Sequence, residues 1–87
     1  MKINLLMYTA NLAPLKAYRQ ANSNQSLSDL ITNYAVATHV PLIVCAYYFV
    51  KLEGMTPELM TMIERLKRFY RYDEIIGIDE LMKLEIK

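Results

Sequence analysis

The sequence has few of the residue types that build covalent or metal-bound sites. Its 87 residues include one cysteine and one histidine. Cys45 has no partner for an internal disulfide, and a free cysteine in an apolar run is commonly a small buried hydrophobe. Cys45 and His39 cannot form a closed metal site by themselves, so we expect no bound metal. A Cys–His nucleophile pair is disfavoured too, because the two residues would stand roughly 20 Å apart along one extended strand.

Long hydrophobic runs and a strong net charge are also missing. The longest apolar run, Val40–Val50, has eleven residues, whereas a membrane-spanning helix needs roughly 20. Residues 1–12 contain one lysine, an asparagine inside the apolar stretch and no small-residue cleavage site, which argues against a secretory signal. We therefore expect a cytoplasmic protein without a membrane partner. The formal net charge of +1 exerts little long-range attraction on nucleic acid.

Apolar side chains are abundant for so short a chain. They make up 54% of the residues, above the usual range of about 45–50%. A chain of this length forms a single domain, residues 1–87, and folding removes only roughly 60–65% of its surface from water. The seven tyrosines and six methionines are residue types favoured at protein interfaces. We therefore expect a homodimer, or binding to another protein.

The first half of the sequence reads as a strand, a helix and a second strand. Residues 3–8 place apolar side chains on both faces of an extended segment. Pro14 can open a short helical turn in the connection that follows. An S-x-x-D pattern then precedes apolar residues at helical spacing over residues 26–38. Val40–Val50 is rich in β-branched and aromatic residues, which is typical of a parallel strand buried on both faces.

The second half adds a helix and two further extended segments. Thr56 and Pro57 form a helix start, and the apolar spacing predicts that this helix continues to near Arg71. Residues 73–78 and the alternating residues 82–86 read as strands joined by a turn at Asp79 and Glu80. The predicted fold is therefore α/β, a small mixed sheet with two main helices in the order β-α-β-α-β-β.

This order and three local motifs resemble the C-terminal half of the GNAT acetyltransferase superfamily. The motifs are the polar loop that begins at Arg19, the strand start "VPLIV" and the helix end "RFY". Arg19 falls on the leading arginine of the family's acyl-CoA loop, while Asn22 and Asn24 replace its two glycines. The Gly-Phe turn of the family is absent here, as are its first strands and helices, so the resemblance implies a truncated GNAT-like domain with a degenerate loop.

The resemblance implies acetyl-CoA or CoA as the cofactor, bound by backbone amides at the start of a helix. The implied cofactor-binding residues are Gln20, Ala21, Asn22, Ser23, Asn24, Gln25 and Ser26. Tyr70 matches the family's general acid, since a phenol can protonate a departing thiolate. Two simpler interpretations stand beside these: a polar turn with Ser26 as N-cap, and a tyrosine that packs in the core. Neither His39 nor Glu53 stands out as a general base.

One basic cluster offers a different function. Its residues are Arg65, Lys67, Arg68 and Arg71, with aromatic side chains between them. This combination can contact phosphates and stack on bases, although a solvated helix face is the commoner use of such residues. We expect a degenerate GNAT-like protein that acts by protein–protein interaction without efficient acetyl transfer. A minimal acetyl-CoA-dependent N-acetyltransferase and a nucleic-acid-binding module are the alternatives.

Overall fold

A computed structural model of the protein describes residues 2–70 and 74–83, with no side-chain description for residues 9–13. Helices account for 76% of the described residues. The predicted α/β class with a GNAT-like core is therefore wrong, and the protein is a mostly helical small domain. In chain order the elements are β1 (Ile3–Asn4), a 3-10 helix (Leu5–Asn11), α1 (Leu12–Ala21), α2 (Leu27–Thr38), α3 (Leu42–Glu53), α4 (Pro57–Leu66), β2 (Ile75–Ile76) and α5 (Ile78–Lys83).

The largest correction concerns Val40–Val50, which was predicted to be a buried strand. Most of this run belongs to α3, and the seven consecutive residues 43–49 are all buried. A helix that is apolar on every side must be surrounded by other elements, and α3 packs against α2, α4 and α5. A continuous apolar run does not distinguish a buried strand from a buried helix, and eleven residues suit a helix better than a strand. Tertiary burial has overridden the local β preference of these residues.

Pro41 marks the start of α3. It occupies the N-cap position with a φ of −56°, close to the angle that its ring enforces and that a helix start requires. Its carbonyl oxygen accepts hydrogen bonds from the amides of Val44 and Cys45, at 3.0 and 3.2 Å. The proline that was assigned to a strand start in the sequence therefore begins a helix.

The two strands are short and come from opposite ends of the chain. β1 and β2 pair in parallel, with Ile3 opposite Ile75 and Asn4 opposite Ile76. The strand predicted over residues 3–8 is thus limited to its first two residues, and its partner is not Val40–Val50. The Asn4 side chain accepts a hydrogen bond from the Leu6 amide at 3.0 Å, which turns the chain out of the strand and into the 3-10 helix.

Two predicted helices are confirmed in position and in capping. In α2 the Ser26 hydroxyl accepts from the Asp29 amide at 3.2 Å, and in α4 the Thr56 hydroxyl accepts from the Leu59 amide at 3.2 Å. Such side-chain caps satisfy amides that have no partner inside the helix. α4 ends at Leu66 and continues as a 3-10 turn to Phe69, so the α-helix is shorter than predicted. The helical turn predicted at Pro14 is part of the longer helix α1.

The end of the chain also differs from the prediction. Asp79 and Glu80 form the first turn of α5 rather than a β-turn, where their charges complement the helix dipole. The strand predicted over residues 82–86 begins inside α5, and its remainder lies outside the described residues. The Lys51 ammonium donates a hydrogen bond to the Met82 carbonyl oxygen at 2.7 Å, which ties α5 to the last turn of α3.

The core surrounds α3. Buried side chains reach it from the N-terminal segment, α1, α2, α4 and α5, with Leu5, Leu15, Leu30, Leu59 and Leu81 among those that are fully enclosed. The Tyr48 hydroxyl donates a hydrogen bond to the Leu5 carbonyl oxygen, so the one polar atom of this core side chain is satisfied. Within the described chain, no helix combines the length and the apolar character needed to cross a bilayer.

Alkaline pH is expected to destabilise the protein through its core. Burial raises the pKa of the Cys45 thiol from 9.0 to about 12, and burial raises the pKa of the Tyr48 phenol from 10.0 to about 12. Above pH 9 the unfolded chain therefore binds fewer protons than the folded one, so the free energy of unfolding falls as the pH rises towards 12. Below pH 9 this stabilisation is fully present.

Urea unfolding at pH values between about 8 and 11 measures this effect. Burial also raises the pKa of the Tyr34 phenol, so three groups contribute to the decline. Tyr48→Phe serves as the comparison variant, because it removes one of them and should flatten the decline at the upper end of the range. An unfolding free energy that stays constant across the range would contradict the burial of these groups.

Candidate functional site

The loop between α1 and α2 carries the residues that were predicted to bind CoA. Gln20 and Ala21 end α1, and residues 22–25 form the turn before the N-cap of α2. The Asn22 amide and side-chain nitrogen both donate to the Tyr18 carbonyl oxygen, at 3.1 and 2.9 Å. Asn22 therefore closes the C-terminus of α1. Among the described residues, His39 is the only non-glycine residue with a positive φ. Asn22 and Asn24 therefore do not adopt the left-handed conformation that would imitate the loop glycines.

The N-terminus of α2 is occupied by side chains of the protein itself. Ser26 caps the Asp29 amide, and Oε1 of Glu58 accepts from the Ser28 amide at 3.0 Å. The Glu58 carboxylate thus stands where an anionic ligand of this helix end would bind. A pyrophosphate at this position would have to displace the carboxylate and overcome its repulsion.

Arg19 holds the same loop from the other side. Its Nε lies 2.9 Å from Oε1 of Glu53 in an ion pair, and one terminal nitrogen donates to the Gln25 carbonyl oxygen at 3.3 Å. Both contacts are intramolecular, and together they fasten the loop to the end of α3. The residue aligned with the leading arginine of the acyl-CoA motif therefore has a structural role here.

Tyr70, the predicted general acid, follows the 3-10 turn after α4. It is half-buried and packs against the edge of the core. No hydrogen bond within the described residues joins Tyr70 to the loop at residues 22–26. Its catalytic role stays a prediction, and the packing is that of a tyrosine at a core edge.

The residues weighed as general bases have other roles. His39 is the exposed C-cap of α2, with a left-handed φ of 59°. This conformation is common at helix ends. Glu53 is paired with Arg19. Within residues 2–70 and 74–83, no group of three His, Cys, Asp or Glu side chains could hold a metal ion.

The basic cluster is exposed at the end of α4. Arg65, Lys67 and Arg68 all project into solvent, and Phe69 beside them is 79% exposed. Arg71 lies outside the described residues. Within the described residues, the one ion pair joins Arg19 and Glu53. Arg65, Lys67 and Arg68 therefore form no ion pair with a described carboxylate. These charges are therefore available to a partner.

A groove of about 400 Å³ lies between α2 and α4. The contact between Glu58 and Ser28 joins the N-termini of these helices, and α3 packs against both of them. Half-buried apolar and exposed polar side chains share the lining. They are Leu42, Met62 and Leu66 on the apolar side and Ser28, Thr32, Glu58, Thr61 and Arg65 on the polar side. We call this feature the α2–α4 groove.

A second depression of about 310 Å³ lies near the C-terminal ends of α1 and α3. Lys16, Arg19 and Lys51 give it a positive character. Arg19 is bound to Glu53, and Lys51 is bound to the Met82 carbonyl oxygen. Cations at helix C-termini also complement the helix dipole. The charges of Arg19 and Lys51 therefore serve the fold.

Comparisons with models of known protein families, with curated protein sequences and with solved structures found no match. The GNAT relationship therefore stays a prediction from the local motifs, and the β-α-β-α-β-β order that also suggested it is wrong.

Sequence reasoning did not find the α2–α4 groove. The contact of its lining residue Glu58 with Ser28 joins residues 30 positions apart. The groove also depends on α3 being a helix that packs against both α2 and α4. No local pattern in the sequence specifies the contact between Glu58 and Ser28 or the packing of α3 against α2 and α4.

Proposed function

We propose that this protein acts by binding another protein through the α2–α4 groove. The groove itself carries the proposal, because apolar side chains lie beside polar and charged ones there, as at protein interfaces. Met62, a half-buried residue of its lining, is an adaptable apolar side chain of the kind used at binding surfaces. Five of the eight lining residues are exposed to solvent, which suits a helix or an extended segment better than a small ligand that must be enclosed. A cytoplasmic location belongs to the same proposal and rests on the sequence features alone.

A selection of displayed amphipathic helical peptides against the protein tests this proposal. We expect the enriched peptides to bind the wild type and to lose roughly tenfold or more in affinity for Met62→Glu, because a carboxylate would be desolvated in the apolar part of the groove. Met60→Glu is the matched control. Met60 lies on the same helix, is 49% exposed and does not line the groove.

Two results would contradict the proposed function. One is a selection that yields no saturable binder. The other is a set of binders that tolerate Met62→Glu as well as they tolerate Met60→Glu. Circular dichroism of both variants verifies that each remains folded.

Nucleic-acid binding is a second candidate, supported by Arg65, Lys67 and Arg68, which form no ion pair within the described residues and lie beside the exposed Phe69. Calorimetric titration with DNA at two salt concentrations tests it, because phosphate contacts make affinity fall steeply with salt. Titration with acetyl-CoA and CoA in the same series tests the enzyme alternative. Saturable micromolar binding of CoA would favour that alternative, and it would require the Glu58 carboxylate to leave the N-terminus of α2.

A further inference from the structure

We propose that the partner bound at the α2–α4 groove is a second copy of this chain, packed with its α4 antiparallel to the first. This inference rests on the proposed function and names the partner. Glu58 of each copy would meet the partner's Arg65, so one two-fold axis would create two identical ion pairs. A two-fold interface of this kind uses the same surface on both subunits.

The spacing of these two residues produces the complementarity. Glu58 and Arg65 both line the groove and are seven residues apart on α4. Seven residues are two helical turns, or about 10.5 Å along the axis, so both side chains project from the same side of the helix. When two such helices run antiparallel, each acidic position faces a basic one. The axis then passes between Thr61 and Met62.

Within one copy the two charges do not neutralise each other. Residues three or four positions apart on a helix can pair. Between Glu58 and Arg65 these positions are occupied by Thr61 and Met62, and neither side chain is charged. Arg65 has no ion pair within the described residues. Glu58 uses Oε1 for the Ser28 amide, and its other carboxylate oxygen can still accept from a guanidinium. A second copy would satisfy both groups at once.

The apolar side chains lie between these charged ends. Met62 would meet the partner's Met62 near the axis, while Leu66 and Leu42 would lose their remaining exposure to water. Burial of such side chains provides the main driving force, and the ion pairs set the register and the antiparallel direction. α4 is about 15 Å long at 1.5 Å per residue, so the contact is small and we expect a weak dimer.

The charge pattern favours a second copy over nucleic acid at this groove. A phosphate backbone would be attracted by Arg65 but repelled by Glu58, which lies on the same lining. A surface that carries one charge of each sign, symmetrically placed about an apolar centre, is complementary to itself.

Sedimentation velocity from about 10 μM to about 1 mM, the range expected for a weak dimer, tests this inference. Wild type should associate reversibly. Arg65→Glu would place like charges opposite each other at both ends and should weaken association by at least about tenfold. The double variant Glu58→Arg with Arg65→Glu exchanges the charges and should restore association to within about threefold of wild type. Arg68→Glu makes the same charge change outside the groove and should leave association unchanged.

Three results would overturn the inference: a wild type that stays monomeric throughout the range, equal effects of Arg65→Glu and Arg68→Glu, or an associating wild type that the exchanged charges do not rescue. Circular dichroism excludes unfolding as a cause, which matters most for the Glu58 change because it removes the bond to the Ser28 amide. A monomeric wild type that still binds selected peptides through Met62 would refute the dimer and leave the proposed function intact.

Discussion

Phe49→Ala is expected to lower the free energy of unfolding by about 3–5 kcal/mol. Phe49 is fully buried in α3, and its removal leaves a cavity among side chains that belong to several elements. A small domain is stable by only about 5–15 kcal/mol in total, so the loss is a large fraction of the whole. Urea unfolding followed by circular dichroism measures it.

The same substitution at Phe69 is the matched control. Phe69 is 79% exposed, so Phe69→Ala should change the free energy of unfolding by less than about 0.5 kcal/mol. If Phe49→Ala is too unstable for a complete unfolding curve, Ile43→Val at a fully buried position should cost about 1 kcal/mol. Equal effects of the two Phe→Ala changes would contradict the position of α3 at the centre of the core.

Gly77→Ala is expected to cost about 2–3 kcal/mol, as the sum of a left-handed backbone and a steric conflict. Gly77 has a φ of 86°, and a Cβ at this position would lie 2.7 Å from Oδ1 of Asn4. That oxygen accepts the Leu6 amide, so moving it aside breaks the turn after β1. Thermal or urea unfolding gives the difference from wild type.

Two further substitutions, Gly54→Ala and Asn4→Ala, separate the two contributions. Gly54 has nearly the same φ, 84°, and no atom lies within 4 Å of the position that an added methyl group would occupy. Its ψ of 171° places it in a region that is essentially restricted to glycine, so its replacement should cost about 1–3 kcal/mol from the backbone alone. The steric part at Gly77 is measured by making Gly77→Ala in an Asn4→Ala background, and an equal loss in both backgrounds would show that the close approach of Asn4 to Gly77 is not present in solution.

Local signals in the sequence were sufficient for two of the helices. Ser26 and Thr56 are N-cap residues followed by apolar side chains at helical spacing, and each cap makes its hydrogen bond to a nearby amide. Information of this kind lies within a few residues of the helix start, so it can be read without knowledge of the rest of the fold.

The sheet could not be predicted in this way. Val40–Val50 is apolar throughout and has no period, so its assignment depends on what surrounds it. The pairing of Ile3 with Ile75 joins the two ends of the chain, and no local pattern specifies it. Pairing residues 3–8 with Val40–Val50 as parallel strands was physically reasonable. The sequence of Val40–Val50 does not by itself distinguish a buried strand from a buried helix.

The candidate site also depends on Leu42–Glu53 being a helix and not a strand. Because Leu42–Glu53 is a helix, it packs against both α2 and α4, and these two helices also contact each other. Glu58 then reaches the amide of Ser28, and the α2–α4 groove forms next to this contact. Of the two interpretations of residues 22–26, the polar turn with Ser26 as N-cap agrees with the structure, and CoA binding by this loop stays a prediction. The Glu58 side chain that completes the helix end comes from a distant part of the sequence.

The helical state of Leu42–Glu53 underlies both the fold and the groove, and backbone NMR tests it directly. A helix here predicts ¹³Cα shifts to high frequency and NOEs from the α-proton of one residue to the amide three positions later, throughout this segment. Cα shifts in the opposite direction, with NOEs between this segment and residues 3–8, would contradict it and restore the parallel strand pair.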